Sequence, residues 1–207
     1  MFVRRGGGAT ALVVDPDEPS IEVARSRGLD GFAGTIEELD TDRRFDLVLL
    51  LNLIEHVADP VGVLRKAREH LDRDGLVWLQ TPNFRALDGR LFRHRNWAGY
   101  HCPRHWVIFG EEGLRKAVSA AGLEVVRFKR TQGGGFWAQS VLGLRRARRM
   151  RTGELTWSPV AGGPEGLPKP LIRYRGFGPL AAAGTAFDLA TRGFREVSQV
   201  VVLARRA

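Results

Sequence analysis

Apolar residues fall in mostly consecutive rather than alternating runs at residues 11–14, closed by Asp15, and again at Phe45–Leu51, continuous after Asp46, at 76–80 up to Gln80, and at 197–203 around Ser198 and Gln199. Short runs of this kind predict strands buried on both faces, as in a parallel sheet covered by helices. A weak strand is expected at 31–34 and a further strand at 123–128. Between the runs the spacing changes to three and four. Ile21 and Ala24 follow Pro19 and lead to a stop at Gly28. Val61, Leu64, Ala67 and Leu71 follow Asp59, a natural N-cap, and Pro60. Leu114, Ala117, Val118 and Ala121 follow Gly110, Glu111 and Glu112. These three segments predict amphipathic helices. The second is expected to end near Asp72, with Asp74 and Gly75 turning the chain into the strand at 76–80. Residues 83–110 are aromatic and basic without a clear period, which suggests a loop with one short helix at 87–92. A Gly-, Pro- and Arg-rich region follows residue 128, then an apolar helix at 179–190 before the last strand. Strand and helix alternate through most of the chain, the pattern of a doubly wound α/β sheet with right-handed crossovers.

Composition narrows the class. A chain of 207 residues, 43% hydrophobic and 27% charged, suits one globular domain with an appendage. The longest uncharged apolar runs, 47–54 and 176–187, fall short of the ~20 residues that span a bilayer. Arg4 and Arg5 precede an apolar run that soon meets Asp15, Asp17 and Glu18, too short and too acidic for a secretory signal. A cytoplasmic location is expected. The single Cys102 forms neither an internal disulfide nor a cysteine metal site. Of the 32 basic residues behind the net charge of +9 only four are lysine, a skew of genome composition more than of phosphate selection, so a nucleic-acid partner is not expected. Residues 143–176 hold eight basic and two acidic side chains, two thirds of the excess. That cluster reads either as a solvated face or, beside the apolar helix, as a peripheral contact with an anionic membrane surface.

Ligands of open α/β sheets bind beyond the carboxyl ends of the strands. Asp15 ends the first run, where a carboxylate accepts hydrogen bonds from both ribose hydroxyls; the same residue also fits a turn or helix cap. Gly34, Thr35 and Ile36 follow the weak strand, as an adenine contact or as loop packing. After the strongest strand comes L-N-L-I-E-H-V-A-D-P, residues 51–60, with the polar pair Glu55 and His56 in an otherwise apolar turn. His56 suits a general base because imidazole titrates near neutrality, and equally suits holding the turn. Glu55 and His56 without a third ligand are thin evidence for a divalent ion, and no metal is expected. His101, Arg104 and His105 either face a substrate or belong to a packed aromatic lid with Trp97, Tyr100, Trp106 and Phe109.

In order and spacing, V-V-D-P-D, G-T-I-E-E-L, F-D-L-V-L-L-L-N-L-I-E-H-V-A-D-P, D-G-L-V-W-L-Q-T-P-N and the W-x-x-Y-x-x-P-R-H-W-x-x-F segment at 97–109 resemble class I S-adenosylmethionine-dependent methyltransferases. The branch they are most similar to includes ubiquinone-type O-methyltransferases. The resemblance covers residues 9–131 well and the last strand more loosely. It implies a Rossmann-like, mostly parallel sheet with an antiparallel last strand, and S-adenosylmethionine as cofactor. It further implies a small-molecule or lipid-linked substrate methylated at oxygen. It assigns Asp15 to the ribose, Thr35 and Ile36 to the adenine end, and Leu51 and Asn52 to the methionine and sulfonium portion.

The family's D-x-G-x-G-x-G loop after a first strand has no counterpart here; Gly6, Gly7 and Gly8 are separated from the 11–15 strand by only Ala9 and Thr10. The expectation is therefore an N-terminally incomplete core at 1–131 whose first, central strand is missing, its coding sequence lying upstream, with Arg4–Gly8 as the end of a helix and its turn. A basic and apolar insertion at 132–195 and the last strand at 196–207 complete the organisation. Two other readings stay open: a non-catalytic scaffold of the same fold that binds a partner or membrane surface, and, more weakly, a nicotinamide-dependent dehydrogenase, which Asp15 fits and E-H-V-A-D-P does not.

Overall fold

The computed structural model describes residues 2–4, 10–94, 97–100, 104–131, 133–151, 157–158, 163–164, 176–193 and 195–207. They divide into two compact units, the first of residues 1–81, 111–129 and 201–207, the second of 82–110 and 130–200.

The first unit carries the sheet. In chain order its elements are β1 (Phe2–Arg4), β2 (Thr10–Asp15), α1 (Glu18–Ser26), β3 (Asp30–Ala33), β4 (Phe45–Leu51), a 3-10 turn (Ile54–His56), α2 (Pro60–Glu69), β5 (Leu71–Pro82), α4 (Glu111–Ala120), β6 (Leu123–Thr131) and β9 (Gln199–Arg206); the distal ends of β5 and β6 and the first two residues of β9 fall in the second unit. The strand order is β3-β2-β1-β4-β5-β9-β6. β2 pairs in parallel with β3, and β4 with β5. β9 runs against its neighbours, since its C-terminal end meets their starts: Arg206 Nη2 donates to Leu71 O at 2.9 Å and Ala207 N to Gly122 O at 3.2 Å. The mostly parallel, Rossmann-like sheet with an antiparallel last strand is thus present.

Consecutive apolar runs form these strands because both faces are covered. Phe45 and Val48 are fully buried and Leu50 nearly so. Helix starts follow the capping chemistry. Asp17 Oδ2 accepts from Ser20 N at 3.1 Å, and Asp59 Oδ1 from Gly62 N at 2.8 Å with Pro60 behind it. Val63, Leu64 and Ala67 on α2 and Leu114, Ala117 and Val118 on α4 turn inward.

Two expectations need correction. The position between β2 and β4, expected to be empty, holds β1, which runs antiparallel to both: Phe2 lies opposite Leu12 and Val48, Val3 opposite Ala11 and Leu47. Arg4 is therefore a strand residue and not the end of a helix, while residues 5–8 lie outside the described residues. Extended backbone wins there because two strands already offer it a ladder on either side. Second, α2 ends at Glu69, not near Asp72, and β5 begins at Leu71. The register moves from Phe45↔Leu71 to Leu47↔Leu76, so Asp74 and Gly75 lie in a bulge instead of a turn.

The second unit contains α3 (Leu87–Phe92), a 3-10 turn (Ala98–Tyr100), α5 (Gly134–Arg151), the short strands β7 (Trp157–Ser158) and β8 (Gly163–Pro164), and α6 (Phe177–Thr191). The helix at 87–92 and the apolar helix are where the pattern places them. α5 is not among the elements the pattern predicts; it lies in the Gly-, Pro- and Arg-rich stretch, where Gly133, Gly134 and Gly135 disfavour a helix. Those glycines instead permit close approach. A Cβ at Gly134 would strike the backbone of Ala181, and one at Gly184 would lie 2.7 Å from Trp137 Cβ, so α5 and α6 cross on small residues. Asp188 of α6 fastens the crossing, accepting from Gly133 N at 2.9 Å and from Trp137 Nε1 at 3.1 Å. Three of the eight basic residues of the cluster, Lys169, Arg173 and Arg175, lie outside the described residues.

Candidate active site at the carboxyl edge of the sheet

The chain leaves β2 through α1 to β3 on one side and leaves β4 through α2 to β5 on the other, so the connections diverge around β1. Divergence of this kind opens a crevice at the carboxyl edge. Among the described residues β1 pairs with β2 as far as Leu12 and with β4 as far as Val48, and residues 13–15 and 49–51 form the carboxyl ends of these two strands. Two strands that flank a third stand two ladder steps, about 10 Å, apart, and the interval between their carboxyl ends is a notch.

Asp15 stands on one wall of this notch. It pairs with Ala33, its carbonyl accepts from Gly34 N at 3.0 Å, and its Oδ1 accepts from Asp17 N at 2.9 Å. That last bond fixes the carboxylate's direction at the strand end while the residue stays half-buried. Beyond β3, Thr35 is exposed and its N–H donates to Glu38 Oε2 at 2.7 Å. Ile36 is buried, 6% exposed, beside an equally buried Leu39 in sequence, so its side chain serves the core beneath this edge.

The other wall ends in Leu51 and Asn52. Leu51 is 52% exposed, unusual for the last residue of so apolar a strand. Asn52 has φ +50°, the only positive value among described non-glycine residues, and its N–H donates to Gln80 O at 2.8 Å. Asparagine tolerates this left-handed conformation better than most residues, and such strain concentrates at functional loops. The turn that follows buries Ile54 and Glu55 and leaves His56 half-buried, with His56 N donating to Leu53 O at 2.9 Å.

Glu55 is the residue whose role the sequence pattern understates. Its side chain is 1% exposed; Thr81 Oγ1 donates to Oε2 at 3.0 Å, and Oε1 has no hydrogen-bond partner. Burial pushes its carboxyl above the ordinary value, opposed by a backbone hydrogen bond, the Thr81 hydroxyl and the charge of His56. The adjacent E-H pair hinted at chemistry. Which of the two faces inward is decided by the 3-10 turn.

In the second unit the aromatic segment divides. Trp97 is buried, donates from Nε1 to Asp88 Oδ2 at 2.8 Å and meets the Tyr100 ring edge-on at 5.2 Å. Trp106 is 71% exposed. His105 Nδ1 lies 2.6 Å from Gly99 O, and since a carbonyl only accepts, that nitrogen carries the proton. His101 lies outside the described residues.

A family model described as a methyltransferase domain matches residues 2–127, a span that includes Asp15, Thr35, Ile36, Leu51, Asn52 and His56. A ubiquinone biosynthesis O-methyltransferase of Azorhizobium caulinodans is 41% identical over 83 residues, 37% of this chain and 33% of that protein. One from Rhizobium leguminosarum bv. trifolii is 30% identical over 130 residues, 57% of this chain and 52% of that protein. The chain thus spans from a third to about half the length of these relatives. Among solved structures, a SAM-dependent methyltransferase from Thermotoga maritima superposes with a TM-score of 0.55 at 20% identity, covering 95% of this chain and 72% of its own. A mycolic acid cyclopropane synthase complexed with SAH gives 0.52 at 10% identity, covering 95% and 70%. At these identities the structural likeness is one of fold.

Proposed function

Because the chain belongs to the methyltransferase-domain family of class I S-adenosylmethionine-dependent enzymes, we propose that it binds S-adenosylmethionine in the notch between β2 and β4. The methyl group goes to an oxygen of a small-molecule or lipid-linked acceptor. The observation that carries the reading is the match across residues 2–127 together with the notch inside that span, walled by Asp15 and Leu51.

The residues present suit the cofactor's chemistry. A carboxylate whose direction is fixed by Asp17 N–H accepts from a ribose diol. Thr35 offers an exposed polar contact at the adenine end, with Ile36 supporting the floor. Leu51 and Leu53, both exposed at the notch, offer apolar surface along the methionine portion, and Asn52 offers its amide. When bound, the cofactor supplies a sulfonium methyl that is already electrophilic. The protein's own tasks are then alignment for in-line displacement, exclusion of water, and removal of the acceptor's proton. His56 is the proposed base: half-buried, it is both reachable and partly desolvated, whereas Glu55 beside it is sealed in the turn. O-methylation is favoured by the names of the curated relatives. A second reading is a scaffold of this fold that binds a partner without transferring methyl groups.

Calorimetry with S-adenosylmethionine and its demethylated product, followed by transfer of labelled methyl to simple catechols, tests the proposal. Binding with turnover supports it, and a His56→Asn variant should then lose turnover while keeping cofactor affinity. Binding without turnover on any phenolic acceptor favours the scaffold. Absence of binding removes both the notch assignment and the role given to Asp15.

A further inference from the structure

The charge of the chain is unevenly divided between its two units. Residues 82–110 and 130–200 carry sixteen basic and five acidic side chains, and the rest of the chain sixteen and eighteen. Even if every carboxylate of the second unit pairs with a cation of that unit, eleven positive charges remain there, and the first unit is slightly negative. The whole net charge of +9 therefore resides in the second unit. An excess of this size attracts an anionic surface.

In the same unit α6 presents a face that does not suit water. Every exposed residue from Phe177 to Thr191 is glycine, proline, alanine, phenylalanine or leucine, with Phe187 38% and Leu189 45% exposed. At 3.6 residues per turn, Ala182, Ala183, Ala186, Phe187, Leu189 and Ala190 fall within one half of the helix circumference. Single exposed apolar residues are ordinary, whereas a surface helix carries polar and charged residues along its outer side. Asp188, the one charged residue of α6, is turned the other way and holds α5 through Gly133 N and Trp137 Nε1. Those bonds, with the close approach at Gly134 and Gly184, fix the rotation of α6 so that its apolar half points outward.

Length and area decide what covers this half. Fifteen residues make a strip about 22 Å long and roughly 10 Å wide. That is too short for a hydrocarbon core of about 30 Å, and no helix among the described residues is long and apolar enough to cross a membrane. At roughly 220 Å² the strip also falls well short of the ~800 Å² that each partner buries in a stable protein complex. A helix lying in the plane of a bilayer interface needs neither. It sinks its apolar half by about 5–10 Å while cations at its border meet lipid phosphates. Such cations are in place. The Arg195 guanidinium lies 6.0 Å from the centroid of the Phe187 ring, Arg192 is exposed at the end of the helix, and Arg145 and Arg148 are exposed on α5.

We infer that the apolar half of α6 seats the second unit on a bilayer surface that contains anionic lipid. The inference goes beyond methyl transfer. α6 contains none of the residues assigned to the cofactor, and docking is measured without S-adenosylmethionine, so its failure leaves the notch assignment standing.

The full chain is floated with phosphatidylcholine vesicles with and without phosphatidylglycerol, at low and moderate salt. Its association state without vesicles is followed by sedimentation velocity over a range of concentrations. Capture is expected to favour the anionic vesicles and to decline with salt. Leu189→Gln and Ala186→Gln, neutral changes at exposed positions, should each weaken partitioning about threefold or more, whereas Val23→Gln on the exposed side of α1 should leave it unaltered. Ala182→Gln stands in for either α6 variant that fails to melt cooperatively. Absence of a preference for anionic vesicles overturns the inference. So does capture that the α6 variants retain in full, which assigns it to charge alone or to another face. A dimer dispersed by Ala186→Gln, without vesicle capture, gives the face to a second copy and overturns the inference equally.

Discussion

Replacing Glu55 by Gln should make the protein more stable at neutral pH, and the gain should vanish in acid. Glu55 is 1% exposed; the Thr81 hydroxyl donates to Oε2 at 3.0 Å and a backbone hydrogen bond adds to it, while Oε1 is without a partner. Its folded-state pKa is raised by burial above the ordinary 4.5. A raised carboxyl pKa means that the folded state holds the proton more tightly than the unfolded one. The associated stability is fully present below the unfolded pKa and is lost as pH rises through the folded pKa. Glutamine keeps the shape and never ionises. Leaving a buried polar atom unsatisfied costs about 1–3 kcal/mol, and more when it is charged. The urea stability of Glu55→Gln relative to wild type should therefore climb from near zero at about pH 4 to roughly 1–3 kcal/mol at about pH 8. Thr81→Val removes the side-chain donor and should cost about 1.5–3 kcal/mol at high pH, where it serves a carboxylate. In the Glu55→Gln background the cost falls to about 0.5–1.5 kcal/mol, and the difference is the coupling of a double-mutant cycle. Parallel pH profiles for wild type and Glu55→Gln would refute the reasoning, since they would mean that the carboxyl is solvated.

Three more predictions concern the same sheet. Asp15→Ala should weaken binding of S-adenosylmethionine or its demethylated product by about 1.5–3 kcal/mol, read by calorimetry, and unchanged affinity would end the ribose assignment. At Asn52, φ +50° should make Asn52→Ala melt below Asn52→Gly, by about 1 kcal/mol, because both lose the side chain but only alanine meets the left-handed penalty; equal melting temperatures would contradict that backbone. Gly75→Ala should cost roughly 1–3 kcal/mol in urea unfolding, since an added Cβ would lie 2.7 Å from Phe45 O and 3.0 Å from Asp72 N, both backbone atoms that cannot swing aside. A neutral substitution there would mean that the β5 bulge is looser than described.

The sequence by itself determined the alternation of buried strands and amphipathic helices. A strand covered on both faces is apolar at nearly every position, as Phe45–Leu51 is after Asp46, and a cap such as Asp59-Pro60 acts within one turn, so both signals are local. Local chemistry also marked Asp15 and Thr35, because a polar residue after an apolar run stands at a strand end, whereas Leu51 and Asn52 entered through the family resemblance. Other features depend on partners far along the chain. Three residues at Phe2–Arg4 carry little strand signal, yet β2 and β4 together supply a ladder on both sides. Leu71 reads as a helix position until Phe45 pairs with it, and Gly133–Gly135 read as a break until α6 packs where side chains would have been. Glu55 and His56 are adjacent in sequence and equally polar. Tertiary structure alone seals one against Thr81 and leaves the other half open, since burial belongs to the packing around a residue and not to the residue itself. The shared cavity lining of Arg85, Arg90, Arg130, Arg195 and Glu196 is likewise invisible in a chain where these residues lie up to 111 positions apart. Charge attraction acts through space, and only the fold brings those positions to one wall.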